Sequence, residues 1–284
     1  NKTLNIALAG TGVGKSLFMC HMAGSALTQG YNVLYITCEM AEEKIAERID
    51  ANLLDIPIQQ LQDPLLTKQK YRAKMDVLKK KTQGKLVIKE YPTASAHVGH
   101  FKALLNELSL KKGFHPEIIF VDYLNICASS RYKGTIVNSY TYVKAIAEEL
   151  RGLAGEYNVP ILSATQTTRS GYGNSNVEIT DTSESFGLPA TADLMFALIS
   201  TEDMEELNQI MVKQLKNRYN DPTVYKRFVL GIDRQKMRLY DCDQNAQQDI
   251  IDSGIEPTQF KPPQNKSKFD LTTGTEKQFD DFKI

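Results

Sequence analysis

The chain has 284 residues, 42% hydrophobic and 24% charged, with 34 basic residues against 34 acidic ones. This is the composition of an ordinary soluble globular protein, and no run approaches the roughly 18 apolar residues of a membrane span. Zero net charge excludes nucleic-acid binding by bulk electrostatics, so any such contact must be carried by a few loops or multiplied by copies of the chain. No signal peptide is present, and Cys20, Cys38, Cys127 and Cys242 lack metal-ligand spacing, which fits a reduced, cytoplasmic setting. The chain starts almost on its first core strand, as a piece of a longer protein would.

That strand is the apolar run Leu4–Leu8, and Ala9-Gly-Thr-Gly-Val-Gly-Lys-Ser16 follows it. A glycine-rich loop between a strand and a helix is a phosphate-binding loop in its proper context, although Ala9 replaces the usual first glycine. Its backbone N–H groups turn toward one anionic centre, and the helix beginning near Gly14 adds its positive dipole end. Gly10, Thr11, Gly12, Val13, Gly14, Lys15, Ser16 and Leu17 are therefore the expected contacts to a nucleoside triphosphate, ATP. Lys15 offers a cation to the β- and γ-phosphates, and Ser16 a hydroxyl to Mg2+.

The helix runs from Lys15 to Gln29 and is closed by Gly30. Asn32–Thr37 predicts a short strand, followed at once by Cys38-Glu39-Met40 and a charged helix to about Leu54. Residues 57–85 are polar, lysine-rich and helical, outside the sheet, and Leu86–Ile88 returns to it. His97–Lys112 is an amphipathic helix ending at Gly113; His97 and His100 lie on its surface rather than in a metal site. Glu117–Asp122 is a nearly continuous apolar run closed by an acid, the pattern of a buried parallel strand.

A polar loop, Ser129–Ser139, leads to a helix ending near Tyr157, and Pro160–Thr165 and Leu194–Ser200 are further buried strands. Ile210–Leu215, Tyr225–Ile232 and Arg238–Tyr240 read as antiparallel strands with a turn at Asn220–Pro222. The fold class is α/β: a mainly parallel sheet over residues 1–248 with a C-terminal antiparallel extension, and a polar tail over 249–284.

Asp122, at the carboxyl end of a buried strand, faces the crevice where α/β sheets bind ligands and can hold Mg2+ opposite Ser16. Glu39 ends the strand that follows the first helix and is either a general base for water or an acid favoured by the dipole of the next helix. Gln166 can bond both a γ-phosphate and the attacking water. Lys216 and Arg218, two apart in an extended segment, point one way and need solvent, acids or a phosphate.

These segments, with Leu-Tyr-Ile-Thr-Cys-Glu-Met, Ile-Phe-Val-Asp-Tyr-Leu, Leu162–Gln166, Asp181–Asp193 and Lys213–Arg218, resemble the ATPase domain of the hexameric replicative DNA helicases. That is the DnaB family within the RecA-like fold, and the resemblance spans roughly residues 1–245. It implies an ATP-driven motor on single-stranded DNA, a homo-hexameric ring in a phage-like replisome, with primase, a helicase loader and other replisome proteins as partners. It also implies Glu39 as catalytic base, Gln166 as sensor, and Lys216 and Arg218 acting on ATP held by the neighbouring subunit. Where the family's DNA-loop motif carries an arginine, this chain has Ser183. Glu184, Phe186 and Gly187 remain as DNA candidates, joined by Arg131, Lys133 and Arg169 in nearby loops. A RecA-like recombinase forming filaments, or a slowly hydrolysing nucleotide-gated assembly module, would share the phosphate loop.

Overall fold

The computed structural model describes residues 1–61, 68–132, 137–167, 177–178, 187–221 and 224–242. β1 (Leu4–Ala9) leads through the glycine-rich loop into α1 (Lys15–Thr28), β2 (Val33–Thr37) and α2 (Glu42–Leu54). The chain continues with α3 (Ile58–Leu61), α4 (Lys68–Lys81), β3 (Leu86–Glu90), α5 (Val98–Lys112) and β4 (Ile118–Asp122). Next come α6 (Ser139–Tyr157), β5 (Ile161–Gln166), α7 (Gly187–Thr191), β6 (Leu194–Ile199) and α8 (Glu202–Glu206). β7 (Gln209–Asn217), β8 (Arg227–Asp233) and β9 (Arg238–Asp241) complete it. No described helix is long and apolar enough to cross a membrane.

The strands form one sheet in the order β3-β2-β4-β5-β1-β6-β7-β8-β9. Pairing from β3 to β6 is parallel, and β7 to β9 add on antiparallel, as the sequence predicts. Both faces of the parallel part are covered, which is why its strands read as unbroken apolar runs. Leu4, Ile6, Leu34, Ile36, Ile119 and Val121 pack under Phe101 and Leu105 of α5 and Ile146 and Leu150 of α6. The residues between them, Ala7, Val33, Tyr35 and Phe120, meet Met19 and Cys20 of α1 and Ile45 and Ile49 of α2. That alternation follows from the two-residue period of a strand. β1 lies between β5 and β6, so the chain leaves β1 in one direction and β5 crosses it in the other. Such a reversal opens a crevice at the carboxyl ends of the strands.

The opposite end is held by Asp193, which is wholly buried. Its carboxylate accepts from the Leu4 backbone N–H at 3.0 Å and from Arg151 Nε and Nη2 at 3.1 and 3.0 Å. Arg218 Nη1 adds a contact at 3.1 Å. One side chain thus joins β1, α6 and the end of β7.

Three expectations change in detail. α2 starts at Glu42 rather than directly after Met40, because the Thr37 hydroxyl accepts from Met40 N–H at 3.1 Å and donates to Met40 C=O at 2.8 Å, closing a turn first. His97 and His100 do lie at the surface, as expected, and their rings in addition cap the helix. His97 Nδ1 accepts from Gly99 N–H at 3.0 Å and His100 Nδ1 from His97 N–H at 3.2 Å, capping α5. The short helices α7 and α8 were not anticipated, five residues being too few to display a helical period. The Asn220–Pro222 turn lies partly, and the 249–284 tail wholly, outside the described residues.

Asp193→Ala removes the acceptor shared by Leu4 N–H and two guanidinium groups. Because both arginines are more than a third exposed and can turn to water, the expected loss is roughly 1–3 kcal/mol of folding stability, read from urea denaturation. An unchanged midpoint would show that the clamp contributes nothing.

Candidate functional site

The loop between β1 and α1 takes its shape from two glycines. Gly12 and Gly14 have φ of +81° and +119°, conformations in which an L side chain is strained. Gly14 is the N-cap of α1 and supplies no side-chain acceptor, so the first N–H groups of the helix are left for an anion. A cleft of about 340 Å³ lies over them, lined by Gly10, Thr11, Gly12, Gly14, Lys15, Ser16 and Leu17. Val13 turns instead to a second cleft, about 550 Å³, shared with Thr167, Val177 and α8.

Lys15 brings an ammonium to this cleft from the loop itself. Its ammonium stands 4.6 Å from the centroid of the Tyr123 ring. Burial pulls its pKa below the ordinary lysine value, while the charges of Glu39 and Asp122 pull it back up. Asp122 ends β4 with no exposed surface. Burial pushes its carboxyl above the usual aspartate value; hydrogen bonds from Tyr35 and Ser16 oppose the rise, Glu39 adds to it and Lys15 counters it. Its Oδ1 is buried without a hydrogen-bond partner, the one such side-chain atom among the described residues. A buried carboxylate with one unpartnered oxygen, on a residue that the Ser16 hydroxyl also approaches, is a donor set suited to a hard cation such as Mg2+.

Glu39 is exposed in the turn between β2 and α2 and lines the same cleft. The first turn of α2 is occupied by Glu42 and Glu43, so Glu39 is not the dipole-favoured acid of that helix. Its turn is fixed by Thr37, by Cys38 N–H donating to Asp122 C=O at 2.8 Å, and by Thr93 Oγ1 donating to Cys38 C=O at 2.8 Å. Gln166, at the end of β5, also lines the cleft and donates from Nε2 to Tyr123 Oη at 3.3 Å. Four segments distant in sequence thus converge at the carboxyl ends of β1, β2, β4 and β5.

Two basic cleft residues, besides Met237, escaped sequence reasoning. Arg48 of α2 sits in Glu-Arg-Ile-Asp, which reads as a solvated helix face, and Arg234 lies in the β8–β9 turn, whose approach is tertiary. Neither carries a sequence signal that would single it out.

Lys216 and Arg218 do share a side, as their spacing predicts, but both have partners within the chain. Lys216 Nζ donates to Pro189 and Ala192 C=O at 2.6 and 2.7 Å, and burial lowers its pKa. Arg218 is bound to Asp193. In register, Ala9 lies opposite Leu198, and Leu194 opposite Asn217. At roughly 3.3 Å per residue, Arg218 therefore begins about 16 Å from this chain's own phosphate loop.

Of the DNA candidates, Arg131 forms an ion pair with Glu148, and its loop is drawn down by Glu149, which accepts from Ser129 and Ser130. Gly187 opens α7 and is buried against Lys144. Lys133, Arg169, Ser183, Glu184 and Phe186 lie outside the described residues.

Residues 1–227 match the family model described as DnaB-like helicase C terminal domain. The chain is 43% identical over 265 residues to the DnaB-like replicative helicase of Enterobacteria phage T4, covering 93% of this chain and 56% of that protein. It is 30% identical over 167 residues to a probable plasmid replicative DNA helicase of Chlamydia trachomatis, covering 58% and 35%. The chain thus spans about half the length of the phage relative and a third of the chlamydial one. Among solved structures, an isolated ATPase domain superposes with a TM-score of 0.71 at 16% identity over 85% of each chain. A DnaB-like replicative helicase solved with its interactions with primase gives 0.70 at 16%, over 85% of this chain and 58% of that one. The fold is therefore RecA-like, as the sequence resemblance implies.

Lys15→Ala should weaken nucleoside triphosphate binding by at least about tenfold, the scale of one hydrogen bond to a charged group. Calorimetric titration measures it, and unchanged affinity would remove Lys15 from the phosphate site.

Proposed function

This chain belongs to the family of DnaB-like helicase C-terminal domains, and from that membership we propose that it is the ATP-driven motor domain of a replicative DNA helicase. It works as a ring hexamer around single-stranded DNA in the cytoplasm, alongside primase, a loader and other replisome proteins. The observation that carries this reading is the convergence of Lys15, Ser16, Glu39 and Gln166 on one cleft, with the buried Asp122 interacting with Ser16, Glu39 and Lys15 from behind it.

The reaction is in-line attack of water on the γ-phosphorus of ATP, with the bond to the β–γ bridging oxygen breaking as ADP leaves. Lys15 and the loop N–H groups hold the β- and γ-phosphates, so the reacting atoms meet in one orientation. Glu39 accepts the proton of the attacking water, and Gln166 positions that water against the γ-phosphate. Ser16 and Asp122 would hold Mg2+, which supplies charge neutralisation at the phosphate oxygens.

Arg218 and Lys216 serve the ATP of the adjacent subunit. Their distance from this chain's own loop supports action in trans. Because the chain carries no net charge, DNA affinity comes from several copies of segments 129–139 and 168–187 facing one strand, with Arg131, Lys133, Arg169, Glu184, Phe186 and Gly187 as contacts. Its salt dependence then counts the phosphates touched.

The test is ATP hydrolysis with and without single-stranded DNA, together with unwinding of a forked duplex. DNA should stimulate hydrolysis and ATP should drive unwinding; slow, DNA-independent hydrolysis would favour an assembly module instead. Glu39→Gln should bind ATP normally and hydrolyse it roughly 10²–10⁴-fold more slowly. Near-normal turnover in that variant would contradict the assignment of the base.

A further inference from the structure

β2 is buried along its whole length, and Tyr35 at its centre has no exposed surface. Its ring stacks on Phe120 of β4, with centroids 5.7 Å apart and planes 8° from parallel. Filling that space needs only a ring. A buried hydroxyl is unfavourable unless it is bonded, so the oxygen needs its own account.

The Tyr35 hydroxyl donates to Asp122 Oδ2 at 2.9 Å and accepts from the Cys20 thiol at 4.0 Å. An ionised carboxylate only accepts, so the chain of donors runs one way, from Cys20 to Tyr35 to Asp122. Its three members sit on α1, β2 and β4, which carry Ser16, lead into Glu39 and end in Asp122 respectively. One oxygen of Asp122 is thereby tied down from below, while the other has no hydrogen-bond partner.

We propose that Tyr35 is a positioning residue for the metal-side carboxylate: through Oδ2 its hydroxyl fixes the Asp122 rotamer so that Oδ1 is presented to the Mg2+ of a bound nucleotide. This rests on the assignment of Ser16 and Asp122 to Mg2+. A tyrosine placed only for packing would affect stability and leave the metal dependence of nucleotide binding alone.

The experiment measures affinity for a fluorescent ADP analogue in Mg2+ and in EDTA. The proteins are wild type, Tyr35→Phe, Tyr35→Met, Asp122→Asn and the Tyr35→Phe/Asp122→Asn double variant. Phe keeps the stacked ring, and Met removes the hydroxyl with a different shape, so the result does not depend on one substitution. Both should reduce the Mg2+-dependent gain in affinity about tenfold, the scale of a hydrogen bond to a charged group, and leave affinity in EDTA within about twofold. In the Asp122→Asn background, Tyr35→Phe should add nothing, because the two act through one contact. A full Mg2+ gain in both Tyr35 variants, or equal losses with and without Mg2+, would overturn the proposal. A full Mg2+ gain in Asp122→Asn would instead overturn the metal assignment beneath it.

Discussion

A carboxylate without solvent sets the terms for everything around the cleft. Asp122 is held at the end of β4 by pairing with β2 on one side and β5 on the other, and the sheet leaves it no exposed surface. Burying an acid disfavours its charged form, and its protein partners only partly offset this: Tyr35 and Ser16 by hydrogen bonds, Lys15 by charge. Lys15 is in the mirror situation, its ammonium disfavoured by burial and supported by two acids. Buried opposite charges of this kind do little for stability by themselves. They suit a ligand that carries both signs, such as a polyphosphate with a divalent cation.

The other end of the sheet is built on a second buried acid, with a different outcome. Asp193 is fully partnered, by Leu4 N–H, Arg151 and Arg218, so it ties strands and helix together. Arg218 is thereby fixed far from the phosphate loop of its own chain, and Lys216 is seated on the carbonyls of α7 and the residue beyond it. The same sheet that gathers the nucleotide groups at its carboxyl ends holds these cations near the opposite end. In the ring proposed above, that separation would let one subunit bind ATP with one end and act on its neighbour's ATP with the other.

Much of this was legible in the sequence, for physical reasons. The glycines of the loop announce backbone conformations that other residues avoid, and the doubly covered strands announce themselves as apolar runs ending in Asp122 and Gln166. What escaped depends on distance in space. Arg48 and Arg234 look like surface charges until α2 and the β8–β9 turn are packed beside the loop. Tyr35 reads as one more strand residue until β2 and β4 are paired and its hydroxyl meets Asp122. The spacing of Lys216 and Arg218 revealed their common side but not Asp193, which precedes another strand of the sheet. The histidine cap of α5 carries no sequence signature, because helix N-caps are ordinarily Ser, Thr, Asp or Asn.

The central claim is that a complete catalytic site needs two subunits, one supplying Lys15 and Glu39 and the other Arg218. The most direct measurement is ATP hydrolysis by mixtures of Lys15→Ala and Arg218→Ala chains, each inactive alone, in rings shown by mass to contain both. The account predicts partial recovery of hydrolysis, greatest near equal proportions, at interfaces where an intact phosphate loop faces an intact Arg218. Full activity of Arg218→Ala by itself would contradict it.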